Sequence, residues 1–100
     1  MPMTMNSTET KMLTEKAEIL KALSHPVRLC IVRNLVEIGG CNVSKMQNCL
    51  AMPQSTISQH LTKLKAAEII EGKRTGTEIT YQVTHQDAIN IVKTVIPQII

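Results

Sequence analysis

The segment 53–65 constrains the fold of this chain more than any other part of its sequence. Ile57, Leu61 and Leu64 recur in it at the i, i+4, i+7 spacing of a buried helical stripe, which predicts an amphipathic helix. Most other positions hold short hydroxyl and amide side chains, where a helix made for solubility carries Glu and Lys. Such groups pair with base edges and phosphates without adding negative charge. The pattern is typical of a helix that reads DNA.

Pro53 predicts where this helix begins. A proline fits the first helical turn, because its missing N–H has no partner there and its φ is already helical. Met52 is therefore the predicted N-cap, and the helix is expected to extend to about Lys65.

Size and composition predict one small domain with an aliphatic core. The chain has 100 residues, of which 43% are hydrophobic, and Tyr81 is its one aromatic residue. This content is enough for one core but leaves that core small, so a second copy of the chain would add to its stability. A dimer is expected.

Targeting signals and cysteine usage favour a cytoplasmic location. No run approaches the roughly 18 apolar residues of a membrane span, and the first residues lack the charged-then-apolar pattern of a signal peptide. The three cysteines are an odd number, which argues against a disulfide framework in a chain without a secretion signal. We expect reduced thiols and no membrane partner.

The net charge of +3 is concentrated in the middle of the chain. Residues 41–77 contain five basic side chains against two acidic ones, whereas the two flanks together are balanced. A basic stretch around a candidate reading helix is a modest indication of nucleic-acid binding.

The N-terminal part is predicted to be a tail followed by a helix. Residues 1–8 have no apolar period and are expected to be disordered, which leaves a single domain over residues 9–100. The predicted helix 10–23 places four apolar residues on one face. These are Leu13, Ala17, Leu20 and Leu23.

Two shorter helices are predicted next. Ser24, His25 and Pro26 break the first helix, because the residue before a proline is driven out of the helical region. Pro26 then opens the helix 27–38, which Gly39 and Gly40 end. Asn42 is the predicted cap of the helix 43–51, whose Val43, Met46 and Leu50 face inward.

A hairpin and a last helix complete the predicted fold. Ile79, Tyr81 and Val83 alternate with polar residues in a β-hairpin over about residues 69–83, with Lys73, Arg74 and Thr75 near its tip. The helix 85–100 carries an apolar stripe too wide for a free surface and is interpreted as a dimer contact. The stripe consists of Ile89, Val92, Val95, Ile96 and Ile99.

The helices 43–51 and 53–65, joined by a tight turn, make a helix-turn-helix, and the basic hairpin after it is a wing. The predicted fold is therefore mainly α with a small β-hairpin, a dimeric winged helix-turn-helix in the order of four helices, two strands and a last helix.

Four stretches of the chain resemble, in order, the ArsR/SmtB family of bacterial winged-helix repressors. They are the helix junction 22–29 (ALSHPVRL), the start of the third helix 42–44 (NVS), the reading helix 53–61 (PQSTISQHL) and the wing 69–81. The resemblance extends from about residue 17 to residue 96. It implies a homodimer, paired through its first and last helices, that binds an imperfect palindromic operator in double-stranded DNA. Such a dimer blocks transcription until an inducer lowers its affinity.

The DNA-contact hypothesis places six residues of the reading helix against the major groove. They are Gln54, Ser55, Thr56, Ser58, Gln59 and His60. Lys63 and Lys65 are expected nearer the phosphates, with Lys73 and Arg74 approaching DNA from the wing. Gln59 is the predicted base reader, because a glutamine amide bonds two groups on one adenine edge.

Three of these residues have an alternative role. For Thr56 and His60, helix capping or hydrogen bonding at the edge of the core is weighted nearly equally with DNA contact. Ser55 has the alternative of serving only the helix N-terminus.

The metal sites of the family are matched incompletely. Its thiolate site uses a cysteine where Asn42 stands, and Cys41 is one residue out of register. Its other site needs an acid and then a histidine at the start of the last helix, where this chain has His85 and Asp87 in reversed order. That site also needs a histidine and a carboxylate further along the helix, where Gln98 is the best residue available. A tetrahedral zinc site needs four N, S or O ligands. No metal and no cofactor are expected, and a metal-sensing repressor is the less favoured alternative.

The thiol-sensing branch of the family pairs a cysteine in the second helix with one in the last. This chain has Arg33 at the first position and no cysteine after Cys49. Cys30 is still a candidate, because a helix start and Arg28 favour a reactive thiol. In the plainer interpretation Cys49 fills a small buried position, Cys41 a half-buried aliphatic one, and Cys30 lies among aliphatic residues. A redox or reactive-sulfur repressor using any of the three remains the alternative.

Other classes of protein are weighed against these. A protein-interaction module is the first rival, since winged helices also bind proteins and the stripe over residues 89–99 needs some partner. An enzyme is not expected. Cys30 and His25 are a nominal cysteine–histidine pair, but no glycine-rich loop, no pair of carboxylates and no complete set of metal ligands accompanies them. Within the DNA-binding class, a repressor without an inducer, controlled by its abundance, is the serious alternative.

Overall fold

Five helices and one β-hairpin are present in the computed structural model, which describes residues 6–97. The elements are α1 (Ser7–Leu23), α2 (Pro26–Ile38), α3 (Val43–Leu50), α4 (Gln54–Ala66), β1 (Ile70–Thr75), β2 (Glu78–Val83) and α5 (Gln86–Val95). This is the predicted order, and the predicted winged helix-turn-helix fold is confirmed. No helix within the described range is both long and apolar enough to cross a membrane.

Helix α2 lies at the centre of the core. Its Ile31, Val32 and Leu35 are almost fully buried, and α1, α4, α5 and β2 all pack against it. The predicted stripe of α4 is confirmed, because its three aliphatic residues are buried in the same cluster. The other elements add Ile19, Leu23, Met46, Ile69, Ile70, Tyr81, Ala88 and Val92 to this core.

The wing is a two-stranded antiparallel hairpin that is tied to the start of α3. Its register runs from Ile70 opposite Val83 to Thr75 opposite Glu78. Outside the hairpin, the backbone N–H of Cys41 donates to the carbonyl of Tyr81 at 3.0 Å, and the N–H of Tyr81 donates to the carbonyl of Cys41 at 2.8 Å. This pair of bonds fixes the base of the wing against the helix-turn-helix.

The predicted cap of α3 and the predicted end of α2 are confirmed. Asn42 Oδ1 accepts from the backbone N–H of Lys45 at 2.8 Å, while Asn42 Nδ2 donates to Glu78 Oε1 at 3.2 Å. Gly39 ends α2 with a φ of +88°, a left-handed conformation that favours glycine. Asn42 therefore joins the first helix of the helix-turn-helix to the edge of the wing.

Helix α4 begins one residue later than predicted. Pro53 is its N-cap, with φ −61° and ψ 149°, and its carbonyl accepts the first helical bond from the N–H of Ile57. The prediction of Met52 as the N-cap was wrong. The fixed φ of proline is compatible with the extended N-cap as well as with the first turn, so this residue type alone does not decide between the two.

Helix α1 begins earlier than predicted. Asn6 Oδ1 accepts from the N–H of Glu9 at 2.8 Å, and Asn6 Nδ2 donates back to Glu9 Oε1 at 3.3 Å. This reciprocal cap places Ser7 and Thr8 in the helix instead of in the predicted tail. Residues 1–5 lie outside the described residues.

The predicted apolar stripes of α1 and α5 are only partly buried in the core. In α1, Ile19 and Leu23 are buried in the core, whereas Leu13 and Leu20 are exposed, and the side chain of Leu20 is 54% exposed. In α5, which the prediction extended over residues 85–100, the helix spans Gln86–Val95 and Val95 is 60% exposed. The predicted contribution of Ile99 lies outside the described residues. Both helices therefore bury one apolar face and leave another open.

Replacing Gly72 with alanine is expected to destabilise the wing. A Cβ at this position would lie 2.8 Å from Ile79 Cγ2 and 2.9 Å from Tyr81 Cε1, so packed side chains of β2 would have to move. Such overpacking costs about 1–3 kcal/mol, measured as the free energy of unfolding in urea. The control Lys73→Ala, on the exposed surface of the same strand, should change it by less than about 0.5 kcal/mol. Equal effects of the two substitutions would contradict the packing described for Gly72.

Candidate nucleic-acid interface

The outward face of α4 is set by the burial of its opposite face. At about 100° per residue, the directions of Ser55, Gln59 and Thr62 are roughly opposite to the buried stripe, and all three are exposed. Thr62 Oγ1 donates to the carbonyl of Ser58 at 2.9 Å, so this hydroxyl bonds its own helix. Ser55 and Gln59 therefore present exposed hydrogen-bonding groups on this outward face.

One flank of α4 lies next to the wing. Gln54 and Ser58 line a cleft of about 330 Å³ together with Glu78 and Tyr81 of β2 and the first residues of α3. Further along this flank, Lys65 Nζ lies over the ring of Tyr81, 6.0 Å from its centroid. The wing and the first turn of α4 thus enclose one polar concavity.

The other flank of α4 lies next to α2 and carries Thr56, His60 and Lys63. The Nδ1 atom of His60 is 3.3 Å from a terminal nitrogen of Arg28, and the His60 ring lies 4.5 Å from the ring of His25. His60 is half-buried in this contact. The structure therefore gives His60 hydrogen bonding at the edge of the core, the alternative weighed from the sequence.

The contact with Arg28 requires a neutral imidazole. A guanidinium only donates hydrogen bonds, so His60 Nδ1 must accept one. Burial lowers the pKa of His60 below its ordinary value of 6.5, and the nearby His25, Arg28 and Lys63 lower this pKa further. His25 Nδ1 also accepts, from the backbone N–H of Val27 at 3.1 Å, which caps α2.

The wing carries its basic side chains near its tip. Lys73 and Arg74 stand opposite Thr80 and Ile79 in the hairpin, and both are exposed. The acidic Glu78, close to the same tip, is hydrogen-bonded to Asn42. The basic residues predicted for the wing are therefore accessible to a phosphate backbone.

The first turn of α4 has no side-chain cap, because Pro53 has no polar side chain. The first backbone N–H groups of a helix lack partners within it. In α4 they lie beside Ser55 and beside Gln54, which lines the cleft next to the wing. Such amides bind water or phosphate oxygens.

The three cysteines are free and differ in exposure. Cys41 is buried, and this burial, followed by the nearby Cys49, raises the pKa of its thiol, although Lys45 and a backbone hydrogen bond oppose the rise. Cys49 is exposed, so its predicted burial was wrong, because the C-terminal turn of α3 presents this position to solvent. Cys41 is more deeply buried than the half-buried aliphatic position predicted for it, since it pairs with Tyr81.

Cys30 is half-buried in α2 and has two donors near its sulfur. Asn34 Nδ2 lies 3.6 Å from Cys30 Sγ, and Arg33 contributes a terminal nitrogen at 3.9 Å. The sulfur of Cys30 therefore has side-chain N–H donors in reach, whereas Cys41 Sγ donates to the carbonyl of Asn42 at 3.3 Å. The sequence suggested a basic neighbour for Cys30, but through Arg28 instead of Arg33.

The candidate metal ligands have structural partners. His85 Nδ1 accepts from the backbone N–H of Asp87 at 3.2 Å and so caps α5. The carboxylate of Asp87 forms a salt bridge with Lys16 of α1, which lowers the pKa of Asp87. Within residues 6–97 no three His, Cys, Asp or Glu side chains converge on a common point.

The sequence reasoning missed Arg28 and His25 as parts of this site. The sequence places His25 in a helix break and in a nominal pair with Cys30, and Arg28 beside Cys30, but it predicts no contact of either residue with α4. Their contacts with α4 join residues more than thirty positions apart, and no local spacing predicts such a pairing. The sequence signal for this pairing is His60 itself, a histidine among the hydroxyl and amide side chains of α4.

Comparisons with known proteins agree with this geometry. Residues 23–73 match a family model described as a helix-turn-helix domain. The transcriptional repressor PagR of Bacillus anthracis is 38% identical over 85 residues, which cover 85% of each chain. Its crystal structure superposes with a TM-score of 0.82 at 37% identity and covers 87% of this chain and 99% of PagR.

Two mycobacterial proteins are also similar. The repressor SmtB of Mycobacterium tuberculosis is 39% identical over 82% of this chain, which spans 60% of the length of SmtB. The homodimeric winged helix-turn-helix DNA-binding domain Mb0332 of Mycobacterium bovis, described as a possible ArsR-family regulator, has a TM-score of 0.80 at 25% identity. That match covers 96% of this chain and 88% of Mb0332.

The contact between His60 and Arg28 predicts a pH-dependent stability. Unfolded His60 takes up a proton near its ordinary pKa of 6.5, whereas folded His60 does so only at lower pH. Its contribution to stability is therefore complete above about 6.5 and is lost as the pH falls from there towards the folded pKa.

The measurement is urea unfolding of the wild type and of His60→Asn across this pH range. Asparagine keeps an acceptor towards Arg28 but does not titrate, so the variant should lose this component of the pH dependence. The control Gln59→Asn, on the exposed face of the same helix, should retain it. Equal pH dependence in wild type and His60→Asn would show that burial and the neighbouring charges do not lower the pKa of His60 in the folded protein.

Proposed function

The chain belongs to the ArsR/SmtB family of winged helix-turn-helix transcriptional repressors, and from this premise we propose that it represses transcription as a homodimer bound to an imperfect palindromic operator. The observation that carries the proposal is the outward face of α4, which presents Ser55 and Gln59 and no acidic side chain. Operator binding requires the protein to share a compartment with the chromosome, so we also propose a cytoplasmic location.

In this proposal Gln59 reads a base in the major groove. Its side chain is exposed near the middle of the outward face of α4, and a glutamine amide pairs with both polar groups on an adenine edge. Ser55, Gln54 and Ser58 lie nearer the first turn and the wing, where they contact bases or phosphates. Thr56 is half-buried on the α2 flank.

Basic side chains on both sides of α4 contact the DNA backbone. Lys73 and Arg74 approach it from the wing, and Lys63 and Lys65 from the second half of α4. We assign His60 to positioning α4 instead of reading a base, because its ring is engaged with Arg28 and His25. Phosphate contacts fix the register of a protein on DNA, while base contacts supply its specificity.

The proposed homodimer uses α1 and α5. The two helices contact each other, and their open faces carry Leu13, Leu20 and Val95, all of which are at least 45% exposed. Aliphatic residues that are exposed on adjacent helices of a single subunit are typically buried when two subunits associate. The homodimeric state of Mb0332 supports a homodimer as the assembly.

Gln59→Ala is expected to relax sequence preference. The loss of one bidentate base contact removes about 1–3 kcal/mol of discrimination at one operator position. Affinity is measured by fluorescence anisotropy for DNA from just upstream of the protein's own gene, with single-base variants of that DNA and a non-specific competitor. The matched control is Gln82→Ala, an exposed glutamine on β2. An unchanged preference in Gln59→Ala would overturn the groove assignment.

Lys63→Ala is expected to weaken all DNA sequences alike. Removing one phosphate contact lowers the slope of log affinity against log salt concentration by about 0.9. The same anisotropy assay, repeated over a series of salt concentrations, measures this slope. A change confined to one operator sequence would argue against a phosphate contact.

Leu20→Glu is expected to shift the protein from dimer to monomer, because the new carboxylate would be buried in the interface without a partner. Sedimentation equilibrium at several protein concentrations measures the dissociation constant of the dimer. The control Ile38→Glu replaces another exposed aliphatic residue, 54% exposed at the end of α2, and should leave the dimer intact. A dimer unaffected by Leu20→Glu would exclude the open face of α1 as its interface.

A thiol-based repressor is the second candidate function. The observation that favours it is the half-buried Cys30 sulfur, which has N–H donors from Arg33 and Asn34. Comparing the operator affinity of reduced protein with that of protein treated with polysulfide tests it. A large loss of affinity that Cys30→Ser abolishes would support thiol sensing. Equal affinity in both states leaves a repressor controlled by its abundance or by a different ligand.

A further inference from the structure

A basic cleft lies between the C-terminal part of α1, the start of α2 and the second half of α4. It has a volume of about 300 Å³, and its charged lining consists of Lys21, Arg28, Lys63 and Glu18. Alanine side chains from α1 and the end of α4 form much of the remaining wall. Three cations and one anion thus face one space, which leaves an excess of two positive charges.

Arg28 is held in place at this cleft. Its Nε donates to the carbonyl of Ala22, and one terminal nitrogen donates to His60 Nδ1, so the half-buried guanidinium is fixed by α1 and α4. Its second terminal nitrogen takes part in neither bond. The salt bridge found between residues 6 and 97 joins Lys16 to Asp87, so within this range none of the three cleft cations has an acidic partner.

The excess positive charge acts on His60 next to the cleft. Burial is the largest cause of the lowered pKa of His60, and Arg28 and Lys63 are among the charges that lower it further. Like charges held close together repel one another unless an anion lies between them. The cleft therefore has the electrostatic character of an anion site as well as the necessary space.

We propose that this cleft binds a phosphate-type oxyanion. The planar guanidinium of Arg28 offers several fixed N–H donors to a tetrahedral anion, and the flexible ammonium groups of Lys21 and Lys63 complete the contact. The anion is either a backbone phosphate of DNA beside α4 or free phosphate. The first source rests on the proposed function, whereas the second does not depend on it.

The first experiment follows the protonation of His60 by NMR. The ε1 proton of His60 is titrated with pH in sodium phosphate and in sodium chloride at equal ionic strength. Bound phosphate offsets the cations beside the imidazole, so it should raise the pKa of His60. The double variant Lys21→Gln, Lys63→Gln should abolish this rise, and Glu18→Gln should produce it at a lower phosphate concentration. The control double variant Lys11→Gln, Lys93→Gln should retain it.

The second experiment compares two exposed lysines of α1 in DNA binding. Lys21→Gln should lower the slope of log affinity against log salt concentration by about 0.9 if Lys21 contacts a phosphate of DNA. The control Lys11→Gln lies on the same helix, away from the cleft, and should leave the slope unchanged.

The results of the two experiments identify the occupant. A phosphate-dependent rise in the pKa of His60 without a change of salt slope supports free phosphate, whereas a lowered salt slope in Lys21→Gln supports a DNA phosphate. The proposal is overturned if phosphate does not raise the pKa of His60 and Lys21→Gln does not change the salt slope. It is also overturned if the control variant Lys11→Gln, Lys93→Gln loses the phosphate-dependent rise in this pKa as fully as Lys21→Gln, Lys63→Gln does. If the wild type binds no DNA, the proposed function fails, and the NMR titration alone decides whether the cleft binds an anion.

Discussion

The burial of Ile57, Leu61 and Leu64 is the constraint on which the interface depends, because it fixes the rotation of α4 about its axis. A shift of one residue would turn the helix by about 100° and bring Ser58 towards the core. Each aliphatic side chain of this size contributes about 1.5–3 kcal/mol when it is buried, so the observed rotation is strongly favoured over any other. The exposure of Gln59 is thus a consequence of three apolar residues on the opposite face.

The wing is held to this helix-turn-helix by backbone pairing as well as by apolar packing in the core. Cys41 and Tyr81 exchange two backbone hydrogen bonds, and the next residue, Asn42, both caps α3 and bonds Glu78 at the edge of the wing. Tyr81 meanwhile packs in the core and lies beneath Lys65 of α4. A displacement of the wing would therefore disturb both helices of the helix-turn-helix, which makes the three elements one recognition unit.

The sequence predicted the features that depend on neighbouring residues. The stripe of α4, the cap at Asn42 and the stop at Gly39 each follow from a few consecutive side chains, and the structure confirms them. The partner of His60 was beyond such reasoning, because Arg28 lies in another helix and only tertiary packing brings the two together. Helical period alone also did not distinguish the face of α1 that enters the core from the open face that carries Leu20, since both are apolar. The DNA contacts of individual residues remain predictions.

The two possible sources of an anion in the basic cleft have different effects on operator binding. Effects of two ligands on each other's binding are reciprocal, so an anion in the cleft and DNA on α4 must influence each other equally. If the cleft takes a phosphate of the operator itself, free phosphate competes for Lys21 and Arg28 and weakens DNA binding. If the cleft takes free phosphate beside the bound operator, the phosphate and the DNA occupy separate sites and do not compete. Free phosphate at constant ionic strength therefore lowers operator affinity in the first case and does not lower it by competition in the second.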